Sequence, residues 1–249
     1  MRSSANTRTV MSAIGRLVPG MTNARGSEGH RTFEREDQAR ESRTMHQFQE
    51  RPLSALDAIF MRRSVRAYTP HKLDEPTIRA LLDAAVQAPT AMHGEPWAFV
   101  IVQDRERLVR YSNRAKQSWV DEAARYRDLH AGTGTETERM KAAAERFTSP
   151  DFCVFYDAST LILICARPLG PFVIADCWLA AENLMLAACA MGLGSCCIGS
   201  AIPALNERDI KSDLGIPLEV EVVAPIIVGV PSGPASGVAR RDPHILYWK

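Results

Sequence analysis

The stretch Thr160-Leu161-Ile162-Leu163-Ile164-Cys165-Ala166 is apolar at every position after the first. An unbroken apolar run of this length predicts a central strand that is buried on both faces. Shortly after it, the segment from Ala175 to Met191 is almost wholly apolar and is followed by Gly192, which predicts a long core helix that ends at a glycine. A buried strand next to a buried helix indicates a sheet covered by helices.

The segments around this centre alternate between strand and helix patterns. Further strands are predicted at 97–102, 195–198 and 220–230, and further helices after Ser54, after Asp74, over 105–147 with a break at 132–134, and over 206–214. The helix after Ser54 begins with a capping box, and we expect its Leu56, Ile59 and Phe60 to face inward. Because strands and helices intermix, the fold class is α/β or α+β.

Composition and charge exclude several classes of protein. The chain has 249 residues, with 30 Lys and Arg against 29 Asp and Glu, so its formal net charge is +1. That balance argues against a protein built to bind nucleic acid, which needs an excess of cations. The six cysteines are too few for a secreted disulfide scaffold. We therefore expect a globular, cytoplasmic protein.

Two segments of the chain differ from the rest in composition. Residues 1–50 are polar, so we predict a disordered N-terminal extension, although an arginine-bearing transit peptide has a similar composition. Residues 184–205 carry no charge over 22 positions, but Gly192, Gly199 and Pro203 interrupt them. We interpret this segment as buried core and expect no membrane association.

Several catalytic patterns are missing from the sequence. There is no His-Glu-x-x-His or Cys-x-x-Cys metal pattern, no Gly-x-Ser-x-Gly elbow and no Gly-x-Gly-x-x-Gly dinucleotide fingerprint. We therefore predict no metal site. Chemistry carried by a bound cofactor fits this sequence better than chemistry carried by side chains alone.

Two stretches carry positive information. Arg62-Arg63-Ser64-Val65-Arg66 places three arginines and a hydroxyl within five residues, and on an extended chain residues 62, 64 and 66 share one side. Such a face suits a phosphate dianion, although alone it is equally typical of a solvated basic edge. The second stretch, Ala88-Pro89-Thr90-Ala91-Met92-His93-Gly94-Glu95-Pro96-Trp97, is a loop between two core elements, where ligands are often held. Alone, it is equally a plain connector.

Together, in this order and spacing, the two stretches resemble the FMN-dependent nitroreductase family. The family carries an Arg-x-Ser-x-Arg/Lys run, then a helix, then an Ala-Pro-Ser-x-x-Asn-x-Gln-Pro-Trp loop that leads into a strand. The resemblance covers residues 52–249 and implies a single-domain α+β fold with a mixed sheet flanked by helices. It also implies a homodimer with FMN at the subunit interface and a variable helical insert at residues 111–147 over the active site.

The resemblance assigns cofactor-binding roles position by position. Phosphate binding falls to Arg62, Arg63, Ser64, Arg240 and Arg241; Arg66 lies near the N1/O2 edge of the flavin ring; Pro89, Thr90 and His93 line the ring; and Ile198 and Gly199 place backbone N–H groups near N5 and O4. The resemblance implies no catalytic side chain, because the flavin carries the chemistry and Arg66 acts electrostatically. His93 and Glu95 stand where the family has Asn and Gln. Glu95 when ionised only accepts hydrogen bonds, and its charge disfavours electron uptake.

The implied function is that of an oxidoreductase. NADH or NADPH passes hydride to flavin N5 and leaves, and a nitroaromatic, a quinone or a similar small acceptor then takes its place in a ping-pong order. Alternatives within flavin chemistry are a flavin reductase, a quinone or ene reductase and a flavin-fragmenting enzyme. An alternative of another class is an FMN-binding protein with little turnover. Aromatic residues of the insert region either stack on an aromatic substrate or hold the helices to the core: Trp119, Tyr126, Phe147 and Tyr156.

Overall fold

The central strand predicted at 160–166 organises the structure, which is a computed structural model that describes residues 53–129 and 135–249. All seven of its residues are buried. Its side chains alternate between two hydrophobic clusters: Leu161, Leu163 and Cys165 enter one, and Ile162, Ile164 and Ala166 enter the other. This alternation gives a core on each face of the sheet, as expected for a fully buried strand.

Helices and strands follow one another in the predicted order. The strands are β1 Trp97–Val102, β2 Thr160–Ala166, β3 Gly194–Cys197 and β4 Glu221–Gly229. The helices are α1 Ala55–Met61, α2 Glu75–Ala85, α3 Arg105–Leu129, α4 Thr135–Thr148, α5 Val173–Ala190, α6 Ile202–Leu205 and α7 Arg208–Asp213, with short 3₁₀ turns at Ala91–His93 and Gly199–Ala201. The fold is α+β, as predicted.

The strand order within the sheet is β1-β2-β4-β3, and each of these neighbours pairs antiparallel. At the free edge of β3, Ser64 forms a parallel bridge with Ser195, so the Arg62–Arg66 segment extends the sheet on that side. At the opposite edge, β1 begins at Trp97, directly after the Pro89–Trp97 loop. The two stretches singled out in the sequence therefore lie at opposite edges of one sheet.

The helix α2 forms as its sequence predicts. The Asp74 side chain accepts a hydrogen bond from the Thr77 amide at 3.0 Å, and a proline lies in the first turn. Ile78, Leu81 and Ala85 are buried and Leu82 is half-buried, so the inward face has the spacing of an amphipathic helix.

The expected burial of α1 is wrong. Its capping box is present, but Leu56, Ile59 and Phe60 are 66%, 52% and 73% exposed, and Ala58 is its buried residue. The small Ala58 lets this seven-residue helix approach its neighbours closely, while its large side chains point away from both core clusters. The helix forms where its pattern predicts, but its large apolar side chains belong to neither of this chain's two core clusters.

The uncharged segment at 184–205 is core, as predicted, since it contains the end of α5, the strand β3 and α6. Among the described residues, α5 is long and apolar enough, by length and composition, to cross a membrane. Seven of its residues are buried, including Asp176, and its buried apolar side chains pack in one of the two core clusters. The predicted disorder of residues 1–50 lies outside the described residues.

Candidate functional site

The Arg62–Arg66 segment is fixed to the edge of β3 by backbone pairing. The Val65 amide donates to the Ser195 carbonyl at 3.0 Å. Gly194 makes this approach possible, because a Cβ at this position would lie 2.8–2.9 Å from three carbons of Val65. Val65 is buried at this contact while Ser64 and Arg66 are exposed, so the segment presents its polar side chains outward.

The first two arginines make different contacts. The Nε of Arg62 lies 3.4 Å from a Glu182 carboxylate oxygen, yet it is buried and makes no hydrogen bond. Arg63 donates through Nη1 to the carbonyls of Phe60 and Arg62, at 2.7 and 2.8 Å. It thereby provides hydrogen-bond donors for carbonyl groups at the C-terminal end of α1. Arg62 is therefore ion-paired with Glu182 through an N–H that makes no hydrogen bond, and part of Arg63 is committed to the backbone.

A small cavity of about 140 Å³ lies beside these arginines. Its lining is Met61, Arg62, Arg63, Val65, Cys189, Leu193, Ser195 and Ala235. Two arginines and a serine among these lining residues form a donor set that suits an anion such as a phosphate. The residues present thus fit the phosphate end of FMN.

Arg66 carries a charge that no described carboxylate neutralises within 4 Å. Its guanidinium carbon lies 5.8 Å from the centre of the Tyr156 ring, and the Arg146 guanidinium lies 5.3 Å from the same ring. Burial raises the pKa of the nearby Cys196 thiol, and the positive charge of Arg66 opposes this in part. Arg66 therefore keeps an exposed positive charge that is available to a ligand.

The Pro89–Trp97 loop has an unusual backbone. Met92, His93 and Glu95 have positive φ angles of 53°, 54° and 41°, although none of them is glycine. His93 and Glu95 are exposed, and Thr90 is half-buried with its hydroxyl accepting from the Glu95 amide at 3.4 Å. Such strained conformations concentrate at functional sites.

The remaining site residues are placed as follows. The Ile198 amide, expected near the flavin, donates instead to the Pro225 carbonyl at 2.8 Å, while the adjacent Gly199 is exposed. Arg240 and Arg241 lie exposed in the extended C-terminal segment. That segment passes the first motif at Gly237, where an added Cβ would lie 3.7 Å from Arg63 Nη2. Arg240 and Arg241 therefore follow shortly after Gly237, the residue at which the C-terminal segment approaches Arg63.

The structure divides these residues into two groups. Ser64 pairs with Ser195, whose partner in β4 is Val228, whereas Trp97 pairs with Ala166 at the other end of β2. Ser64 and the start of β1 are four strand spacings apart across the sheet, which is about 19 Å. They are also six residues apart along the strand direction, which is about 20 Å. The arginine segment and the Pro89–Trp97 loop therefore lie at opposite corners of one sheet.

Aromatic residues near the insert stack on one another. Trp119 and Phe147 are parallel with ring centres 4.5 Å apart, and Phe147, Phe152 and Tyr156 follow edge to face. This series joins α3 and α4 to the loop before β2, which favours the second alternative, that these rings hold the helices to the core. The Tyr126 side chain lies outside the described residues.

Two residues that the sequence analysis missed support the loop. Asp176, in the first turn of α5, accepts from the Ala91 amide, and Arg167 donates to the carbonyls of Glu95 and Pro96. An acid in the first turn of a largely apolar helix is a usable sequence signal for Asp176. Arg167 carried no such signal. In the described ranges, no three His, Cys, Asp or Glu side chains gather as a metal site would require.

Comparison with known proteins agrees with this geometry. A putative NADH dehydrogenase/NAD(P)H nitroreductase of Archaeoglobus fulgidus is 29% identical over 181 residues, which cover 71% of this chain and 84% of that protein. An iodotyrosine deiodinase of Thermotoga neapolitana is 25% identical, over 75% of this chain and 93% of that protein. The crystal structure of a nitroreductase with bound FMN from Bacteroides fragilis is 26% identical and superposes with a TM-score of 0.63, covering 79% of this chain and 100% of that one. The profile of the nitroreductase family matches residues 59–230, and the chain therefore belongs to the nitroreductase family.

Proposed function

We propose that this protein is an FMN-dependent NAD(P)H oxidoreductase that reduces nitroaromatics, quinones or similar small acceptors. The observation that carries the proposal is the Arg62–Arg66 segment, where Arg62 and Arg63 line a small cavity and the exposed Arg66 has no described carboxylate within 4 Å. The FMN bound by the nitroreductase of Bacteroides fragilis and the NAD(P)H in the name of the Archaeoglobus relative support the choice of cofactor and donor.

The chain's own residues bind and tune the cofactor. Bound FMN supplies the acceptance and release of hydride. Arg62 and Ser64 hold the phosphate group, and Arg66 keeps a positive charge that favours electron uptake. The proposal requires no side chain as acid or base. The protein contributes binding, orientation and electrostatic field.

The corner-to-corner arrangement supports a homodimer with a composite site. Within one chain, about 20 Å along each direction of the sheet separates the arginine segment from the Pro89–Trp97 loop. Even a fully extended FMN molecule, measured from its phosphate through the ribityl chain to the far end of its ring, is shorter than that diagonal. Two copies arranged about a twofold axis bring the arginine segment of one to the loop of the other, and thus build two equivalent sites.

Exposed apolar side chains mark the surface for such an interface. Phe60 is 73% exposed, Trp178 on α5 is 39% exposed, and Trp248 near the C-terminus is 83% exposed. Exposed clusters of large apolar side chains are typical of interfaces between subunits. A homodimer would also explain why the apolar face of α1 is uncovered in the single chain.

The first experiment is a visible spectrum of the purified protein, followed by anaerobic addition of NADH or NADPH. Flavin absorption that bleaches on addition is the expected result. Flavin absorption that does not bleach would favour the FMN-binding protein with little turnover. A colourless protein that cannot be reconstituted with FMN would refute the cofactor assignment.

Substitutions separate the roles of Arg62 and Arg66. We expect Arg62→Ala to weaken FMN binding, and Arg66→Ala to slow flavin reduction by NAD(P)H at saturating FMN. Arg79→Ala serves as the control, because Arg79 is exposed and its ion pair is with Glu75, one helical turn earlier. Equal FMN affinity in Arg62→Ala and the wild type would contradict the assignment of the phosphate site.

The dimer is tested by Phe60→Glu, which a folded monomer tolerates because this side chain is exposed. The expected product is a folded monomer by light scattering that has lost FMN binding. Val109→Glu, on the exposed surface of α3, is the matched control. A Phe60→Glu monomer that binds FMN normally would refute the composite site.

A second candidate is the reductive removal of halogen from a halogenated tyrosine. The iodotyrosine deiodinase of Thermotoga neapolitana favours it, because that relative aligns over three quarters of this chain. A panel of nitroaromatics, quinones and 3-iodotyrosine, each added to NAD(P)H-reduced protein under anaerobic conditions, separates the two. Release of iodide would identify the deiodinase activity, and reoxidation of flavin by nitroaromatics or quinones alone would identify the first candidate.

A further inference from the structure

Asp176 is a buried acid in an apolar helix. It is 6% exposed, and no Lys, Arg or His of the described part of the chain comes within 4 Å of its carboxylate. A buried carboxylate without a cation is unfavourable unless hydrogen bonds and dipoles compensate for lost water. Its position in the first turn of α5 supplies part of that compensation through the helix dipole.

The remaining compensation comes from a distant part of the chain. Both Asp176 oxygens lie 3.3 Å from the Ala91 amide nitrogen, so the carboxylate accepts this N–H from a loop 85 residues earlier. The contact falls just before Met92 and His93, where the backbone has positive φ angles. Asp176 thereby fixes the entry to the strained part of the loop.

Arg167 fixes the exit of the same loop. Its Nη2 donates to the Glu95 carbonyl at 2.6 Å, its Nε to the Pro96 carbonyl at 3.4 Å, and its own amide to the Pro96 carbonyl at 2.9 Å. Asp176 and Arg167 thus hold the two ends of one short segment. The negative group binds an N–H and the positive group binds carbonyls.

Within the loop, the Gly94 amide donates to the Ala91 carbonyl at 3.0 Å and the Glu95 amide donates to the Thr90 hydroxyl at 3.4 Å, but neither bond ties the loop to the rest of the fold. Met92 is 98% exposed, so its left-handed backbone is not a consequence of side-chain packing. Non-glycine residues keep such conformations only when the surroundings determine them. Resting on the proposed function, we infer that Asp176 and Arg167 are positioning residues that hold residues 90–96 in the conformation that presents Thr90 and His93 to the flavin.

The test compares Asp176→Ala, Asp176→Asn and Arg167→Ala by two measurements. The first is hydrogen exchange of the apoprotein, in which Asp176→Ala should exchange the Ala91 amide about 10- to 100-fold faster, as expected on losing a hydrogen bond to a charged acceptor. The second is FMN affinity, measured by quenching of flavin fluorescence, where the dissociation constant should rise by about 10-fold or more. Asp176→Asn keeps one oxygen acceptor and should fall between Asp176→Ala and the wild type in both measurements.

Matched controls separate positioning from general destabilisation. Cys177→Ala changes the next residue of α5, which is fully buried, and it should lower the melting temperature while leaving loop exchange and FMN affinity unchanged. Arg79→Ala is the control for Arg167→Ala. If Asp176→Ala does not fold, Arg167→Ala still tests the inference, because this exposed side chain can be removed without opening the core.

The outcomes distinguish this inference from the proposed function. Wild-type protein that binds FMN, together with Asp176 and Arg167 variants whose loop exchange and FMN affinity match the wild type, would overturn the positioning role and leave the proposed function intact. Wild-type protein that does not bind FMN would overturn both. Faster loop exchange together with weaker FMN binding, absent from both controls, is the result that the geometry predicts. The visible circular dichroism of FMN at saturation should also change in Asp176→Ala and Arg167→Ala, and in neither control.

Discussion

Gly194→Ala tests how the arginine segment is attached to the sheet. The new methyl carbon would lie 2.8, 2.8 and 2.9 Å from Cβ, Cγ1 and Cγ2 of Val65. Favourable carbon–carbon contacts are about 3.5–4.0 Å, so an overlap of roughly 0.7 Å must be relieved. The segment is held at this point by the 3.0 Å bond from the Val65 amide to Ser195, so the backbone must move or the bond must lengthen.

The magnitude follows from two opposed effects. Overpacking of this kind costs about 1–3 kcal/mol. Replacing a strand glycine with alanine returns about 0.5–1 kcal/mol of backbone entropy. The net loss is about 1–2 kcal/mol, which lowers the melting temperature of a domain of this size by roughly 2–8 °C. Because Arg62, Ser64 and Arg66 move with Val65, FMN affinity should fall as well.

The assay is thermal unfolding of the apoprotein, followed by FMN titration. Gly233→Ala is the matched control, because nothing lies within 4 Å of a Cβ built there, and it should leave both measurements almost unchanged. Val65→Ala removes Cγ1 and Cγ2, so the double variant should show a favourable coupling energy of about 1 kcal/mol. A Gly194→Ala melting temperature equal to that of the wild type, with no coupling to Val65, would refute this account of the attachment.

Three further predictions concern the rest of the fold. Hydrogen bonds from Tyr111 and Arg110 hold the pKa of Asp213 below its usual value, so this carboxylate stabilises the folded state above pH of about 3.9 and ceases to do so as pH falls through its lowered pKa. The melting temperature of Asp213→Asn should therefore lie below that of the wild type at pH 7, and the gap should close as the pH is lowered towards 3. Burial raises the pKa of the Cys165 thiol to about 12 and that of Cys177 to about 11. Neither should react with iodoacetamide at pH 8 in the folded protein, and mass spectrometry should find both alkylated after unfolding. Met92→Gly should leave stability unchanged or raise it by about 1 kcal/mol in denaturant titration, because glycine adopts a φ of 53° without steric cost; a loss of more than that would show that the Met92 side chain makes contacts absent from this structure.

Local patterns predicted the sheet and its main helices well. β1 and β2 begin and end where their apolar runs do, because each run is bounded by polar or loop-forming residues. The inward face of α2 followed from spacing alone, since a 3.6-residue period places Ile78, Leu81 and Ala85 on one side. These features depend on interactions between residues about four positions apart or fewer, and such interactions can be inferred from the order of the residues alone.

The burial of α1 could not be predicted in the same way. Leu56, Ile59 and Phe60 show the period of an amphipathic helix, and the helix forms. Periodicity says that an apolar face exists, but it does not say whether the chain itself or another copy covers that face. The same limit applies to the two motifs, because their order along the chain does not reveal that they lie at opposite corners of the sheet.

The backbone conformation of the Pro89–Trp97 loop could not be predicted from the sequence. Propensity assigns a left-handed backbone to its one glycine, yet Gly94 has a φ of −73° while Met92, His93 and Glu95 take the positive angles. At each of these four positions, the sign of φ is therefore the opposite of the one expected from the residue type. The cause lies far along the chain, at Asp176, and the contact becomes visible only when α5 is packed under the loop. Tyr156 and Asp157, in the loop before β2, also have positive φ angles, so a left-handed backbone alone does not single out a ligand-binding loop. What distinguishes the Pro89–Trp97 loop is that Asp176 and Arg167, far along the chain, hydrogen-bond its two ends and so impose a conformation that its own residues disfavour.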